Sequence, residues 1–156
     1  MISMVLAVSS PEYAGKPASA RGGGEKHQSR RFQLIASPSL NRLLITGGAG
    51  FVGSNLAVSL ATRHPDWEIV AFDNLYRQGS ELNLPRLEAA GVEFVKGDVR
   101  EPDDLKALPE LTAMIECSAE PSVMSGVNGD TGYLVHTNLT GAYNCLELPR
   151  RDGASR

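Results

Sequence analysis

The segment LLITGGAGFVGSNL, residues 43–56, sets Gly47, Gly48, Gly50 and Gly53 between an apolar run and a stretch of helical spacing. Glycine tolerates left-handed backbone and lets two backbones approach closely. Clustered at such a junction, it demands a tight strand-to-helix turn. Arg42 to Thr46 (RLLIT) is short and nearly all apolar, as a strand buried on both faces must be. From Phe51 to Arg63, apolar residues recur at Val52, Leu56, Leu60 and Ala61, the spacing of one helical face.

The alternation continues. Glu68 to Asp73 (EIVAFD) reads as a second buried strand, and Leu82 to Ala90 as a helix that Gly91 ends. Val92 to Gly97 (VEFVKG) reads as a third strand. Glu101 to Leu108 reads as a helix that opens with Pro102 and three acids. Ala113 to Cys117 (AMIEC) is the fourth strand, and Tyr133 to Arg150 the longest helix, with Pro149 expected to disturb its end. This is the α/β class: a doubly wound parallel sheet with helices on both faces. Right-handed crossovers give it the strand order 3-2-1-4. Residues 9–41 are rich in Ser, Gly, Pro and charge and show no apolar period. The expected organisation is therefore a disordered or non-native N-terminal extension over 1–41 and a folded domain over 42–156. Ile2 to Val8 is apolar but short, with no basic region before it, and makes a poor signal peptide.

A glycine-rich turn between strand and helix suits a dinucleotide. One glycine makes the turn, one lets the backbone reach the pyrophosphate, and one lets helix pack on strand. The phosphates then meet unpaired N–H groups at the helix start. Here the spacing reads as Gly47-x-x-Gly50-x-x-Gly53, or as Gly48-x-Gly50-x-x-Gly53. Asp73 closes the second strand, where a carboxylate accepts from ribose hydroxyls and repels a 2′-phosphate. NAD is thus expected before NADP, although Arg77 stands close by. A Rossmann-type domain is the implied fold. A nucleoside-triphosphate loop would need Lys after its last glycine, whereas Ser54 and Asn55 follow here.

Other chemistries lack their residues. No G-x-S-x-G elbow surrounds Ser125, and His27, His64 and His136 are scattered. Cys117 and Cys145 form no C-x-x-C pair, so neither a metal site nor a disulfide framework is expected, which fits the cytoplasm. Residues 1–42 carry six Lys/Arg against two Asp/Glu, and residues 43–156 nine against sixteen. The acidic body argues against nucleic acid. No apolar run approaches the roughly 18–20 residues that span a bilayer.

TGGAGFVGSNL, FDNLYRQGSELNL, GDVR, ECSAEPSV and TNLTGAYNCLE occur in an order that resembles the extended short-chain dehydrogenases/reductases, the NAD-dependent epimerase/dehydratase family. The wording near Asp73 and Glu116 looks most like CDP-paratose 2-epimerase-type members. The resemblance covers about residues 42 to 150. It implies a tightly held NAD that takes a hydride from a nucleotide sugar, and a homodimer formed through the helix at Tyr133 to Arg150. It also implies that Gly47, Gly50, Phe51, Val52 and Gly53 line the pyrophosphate, and that Asp73 and Asn74 hold the adenosine ribose. Asp98 and Val99 would flank the adenine. Ser118, Ala119 and Glu120 would pass beside the cofactor, with Asn138 near the active site. Many members read LAA and Gln before Pro-Ser-Val; this chain reads CSAE.

The family's chemistry needs a Tyr-x-x-x-Lys pair with an upstream Ser or Thr. The tyrosine is the general base, and the lysine lowers its pKa. Tyr13, Tyr76, Tyr133 and Tyr143 are followed four residues on by Pro17, Ser80, Thr137 and Glu147. No catalytic residue is therefore expected here. The sequence reads as the N-terminal, cofactor-holding part of such an enzyme, cut off after about four strands and inactive alone. A non-catalytic NAD-binding module or an inert truncated product is the alternative. The fourth strand would then stand at an edge.

Overall fold

The computed structural model describes residues 6–8, 42–122, 124–127 and 130–151. Its strands are β1 (Leu6–Val8), β2 (Arg42–Thr46), β3 (Glu68–Asp73), β4 (Glu93–Lys96) and β5 (Ala113–Ile115). They form one sheet in the order β1-β5-β2-β3-β4. The four strands read from the sequence are parallel and take the order 3-2-1-4. Leu44 sits opposite Val70 on one side and Met114 on the other, which fixes the register at the centre.

Successive strand residues point to opposite faces, and these strands are apolar on both. Leu44, Val70, Phe72 and Met114 pack with Leu105, Leu108, Leu111, Cys145 and Leu148. Leu43, Ile45, Ile69, Ala71 and Ala113 pack with Ala57 and Leu87 on the other face. The first layer comes from α3 (Pro102–Lys106), the turn after it and α5 (Ala142–Arg151); the second from α1 (Phe51–Arg63) and α2 (Leu84–Ala89). Leu43, Leu44, Ile45, Val70 and Phe72 are each 3% exposed or less. Burying each such side chain contributes about 1.5–3 kcal/mol.

Two findings depart from the expected elements. Leu6–Val8, inside the stretch read as an extension, pairs antiparallel with β5, Leu6 opposite Ile115 and Val8 opposite Ala113. The fourth parallel strand therefore has neighbours on both sides. The rest of the expected extension, residues 1–5 and 9–41, lies outside the described residues. The long C-terminal helix is also not uniform: α4 (Thr131–Val135) leads through a π-helical stretch (His136–Gly141) into α5. A 3-10 turn (Ser80–Asn83) likewise precedes α2.

Candidate functional site

From β2 the chain first builds outward to β3 and β4, then crosses back to β5. The C-terminal ends of β2 and β5 therefore part where the strand order reverses, which is where open α/β sheets hold ligands. A cavity lies there.

The β2–α1 turn forms its floor. Gly47 has φ +60°, and a Cβ on it would lie 2.4 Å from the Cys117 carbonyl oxygen. A Cβ on Gly53 would lie 2.2 Å from the Gly47 carbonyl oxygen, so this glycine lets α1 pack against the turn. Gly50 is the N-cap of α1 and has no side chain to cap it, and the first turn carries no acid. The amides of Phe51, Val52 and Gly53 are thus offered to a ligand, with the positive end of the helix dipole behind them. The Phe51 ring is 84% exposed, so this residue faces the turn through its backbone alone.

The Asp73 carboxylate fastens this turn. Its Oδ2 accepts the Ala49 N–H at 3.1 Å and its Oδ1 the Leu75 N–H at 2.8 Å. Asn83 Nδ2 donates to the Ala49 carbonyl at 2.8 Å. Each Asp73 oxygen keeps a further lone pair for a hydroxyl. Leu75 takes a left-handed φ of 57°, a strained conformation of the kind found at ligand clamps. Asn74 Oδ1 accepts the Tyr76 N–H at 2.9 Å, while its Nδ2 donates to Asp98 at 3.0 Å. Asp98 also accepts from the Arg100 backbone and Nε, both at 2.9 Å. The Arg100 guanidinium chiefly, aided by Asn74, holds the Asp98 carboxyl down at about 2 against the opposing effect of burial. Much of its acceptor capacity is therefore already used by the protein.

On the far side, Ser118 donates its N–H to Glu116, a carboxylate only 5% exposed, at 2.8 Å. Asn138 Oδ1 accepts the Glu120 N–H at 2.8 Å and its Nδ2 donates to the Glu120 carbonyl at 3.1 Å. The structure thus brings Gly47, Gly50, Asp73 and Asn74 to one cavity with Asp98, Val99, Ser118 and Ala119. Among the described lining residues Phe51, Val52, Gly53 and Asn138 do not appear; Asn138 instead pins the loop that carries Glu120.

Further lining residues come from the loops after β3 and β5 and from the helix that follows. Tyr76 packs its ring 4.8 Å from that of Tyr133, and the Arg100 guanidinium lies 5.4 Å from the Tyr133 centroid. Arg77 Nη2 meets Glu120 Oε1 at 2.7 Å. The aromatic–Arg pair soon after Asp73 is the one sequence signal that could have marked the first loop. Thr137 also lines the cavity; its Oγ1 is buried without a well-formed hydrogen bond, although the Tyr133 hydroxyl is close enough to interact. An uncapped helix start and a turn with no room for a Cβ at Gly47 or Gly53 fit a dinucleotide. Burial first, and Glu116 second, push the Cys117 thiol up to about 11, so it is a poor nucleophile. Among the described residues no group of three His, Cys, Asp or Glu could hold a metal ion.

Residues 43–156 match the model of the NAD dependent epimerase/dehydratase family. The chain is 35% identical over 113 residues to dTDP-glucose 4,6-dehydratase of Mycobacterium tuberculosis, covering 72% of this chain and 34% of that protein. It is 47% identical over 68 residues to CDP-paratose 2-epimerase of Salmonella typhi, covering 43% and 20%. The solved UDP-Glc/GlcNAc 4-epimerase of Campylobacter jejuni superposes with a TM-score of 0.64 at 26% identity, over 72% of this chain and 34% of that one. The chain spans about a third of the length of the M. tuberculosis relative, matching its N-terminal portion. Its fold, its glycine turn and these matches together place the chain in the NAD-dependent epimerase/dehydratase family of extended short-chain dehydrogenases/reductases.

Proposed function

We propose that these residues hold NAD across the switch-point cleft, as the cofactor-binding part of a nucleotide-sugar epimerase/dehydratase. The observation that carries this reading is the uncapped N-terminus of α1 facing a turn that Asp73 fastens. On this reading the amides of residues 51–53 take the pyrophosphate, and Gly47 and Gly50 give it room. Asp73 accepts from the adenosine ribose. Asn74 orients Asp98 beside the adenine over Val99. Ser118 and Ala119 lead toward the nicotinamide side, and Thr137 lines the same cavity. Bound NAD supplies a hydride acceptor.

These residues are assigned holding rather than proton transfer, because no tyrosine among the 156 has a lysine four positions on. The substrate class is proposed from the dTDP-glucose dehydratase and CDP-paratose epimerase relatives. A homodimer is supported by Val135, Leu139, Tyr143 and Leu146, which recur at helical spacing and are each 43% exposed or more. A reducing, cytoplasmic setting is supported by the free thiols of Cys117 and Cys145. No described helix is long and apolar enough to cross a membrane.

Calorimetric titration with NAD tests the reading. Asp73→Ala is expected to weaken binding by about 1–3 kcal/mol, the loss of a charged acceptor. Circular dichroism of the variant checks that the turn still folds. Unchanged affinity in a folded variant overturns the assignment of Asp73. No binding to the folded wild type overturns the whole reading.

A further inference from the structure

Two arginines stand around the cleft, and each is neutralised by an acid beside it. Arg100 is bound by Asp98, and Arg77 by Glu120. The second pair joins different loops, since Arg77 follows β3 and Glu120 follows β5. The two partners are not equally free. The Glu120 side chain is 9% exposed, against 59% for Arg77. Glu120 is also fixed independently of Arg77. Asn138 grips its N–H and carbonyl, and its Oε1 accepts the Ser122 N–H at 2.9 Å. The acid is thus a prepared anchor, and the arginine is the more exposed member that reaches it across the cleft.

Arg77 lies four positions beyond Asp73 and lines the same cavity. In dinucleotide sites, an arginine in this neighbourhood accommodates a 2′-phosphate. We propose that Glu120 is a specificity-determining residue: by pinning Arg77 across the cleft, it withholds from the adenosine ribose the cation that would receive a 2′-phosphate. Asp73 repels that phosphate directly, and Glu120 removes its counter-charge. Discrimination against NADP therefore has a second source in Glu120, 43 residues from Arg77 along the chain. The inference rests on the proposed NAD site.

The test measures dissociation constants for NAD and NADP in wild type, Glu120→Gln and the double variant Glu120→Gln/Arg77→Met, with circular dichroism and a melting curve for each. Gln keeps the acceptor for Ser122 and removes the charge. The ratio of NADP to NAD affinity is expected to rise about fivefold in Glu120→Gln, the weight of one partly exposed ion pair. It should return to the wild-type ratio in the double variant. An unchanged ratio in a folded Glu120→Gln overturns the proposal. So does a gain that survives loss of Arg77, because it would then reflect only the missing negative charge. A wild type that binds NAD while the ratios fail to move leaves the NAD site standing and removes Glu120 from it. A wild type that binds neither dinucleotide overturns both.

Discussion

Gly47 is the residue at which backbone conformation and site geometry meet. Its φ of +60° and the 2.4 Å approach to the Cys117 carbonyl leave no place for a methyl group. Gly47→Ala adds left-handed strain and forces β2 and β5 apart, and is expected to cost about 2–4 kcal/mol. Urea denaturation should show a lower midpoint, and an unchanged midpoint would remove this glycine from its role. Gly47 and Asp73 were legible in the sequence because their chemistry is local: a turn needs glycine, and a strand end needs an acceptor. Tyr76, Tyr133 and Thr137 were not. They matter only because the loop after β3 meets the helix after β5 at the cleft, and nothing in either segment's spacing announces the other. Asn138 was expected near the active site, and its amide groups go to the backbone of Glu120, on the loop that lines the cavity. A helical asparagine shows in sequence that it has a partner, and folding decides which one.

At the scale of elements, the loops after β3 and β4 are tied together by the cluster of Asn74, Asp98 and Arg100. Asp98 sits at about 2 in the folded protein, below the ordinary 3.8, chiefly because Arg100 binds its ionised form. The ionised carboxylate therefore stabilises the fold above pH 4, and that contribution is lost as pH falls from about 4 to about 2. Its size is about 1–2 kcal/mol, discounted for solvent at a partly exposed pair. Asp98→Asn should flatten the acid limb of stability against pH, as followed by chemical denaturation at several pH values; an unaltered slope would show the cluster to be passive. The central parallel strands β2, β3 and β5 were legible because burial on both faces leaves near-continuous apolar runs. The helix after β5 was legible in extent but not in kind. Its π-helical stretch carries Thr137 to the cavity and seats Gly141 against Val99, an outcome of packing rather than of propensity. Pro149 lies near the end of α5, where it removes one backbone donor while the helix continues to Arg151.

At the scale of the molecule, the sheet closes on a strand that periodicity could not reveal. Three residues have no detectable period, and the partner of Leu6 is Ile115 at the other end of the fold. β1 covers backbone N–H and C=O groups of β5 that would otherwise face solvent, so the edge expected at the fourth strand moves outward. β5 leads to the glycine turn: two residues beyond it, the Cys117 N–H donates at 3.2 Å to Thr46 Oγ1, at the end of β2 that opens into that turn. Steadying β5 therefore steadies one wall of the cleft. A chain beginning at residue 42 is expected to melt about 4–8 °C lower, the equivalent of roughly 1 kcal/mol in a domain of this size. It should also associate more as concentration rises, because a bare edge templates pairing with a second sheet. Differential scanning calorimetry and sedimentation velocity read the two effects separately. A shortened chain that melts as the full one does, and stays monomeric where the full one does, would show that β5 needs no partner on that side.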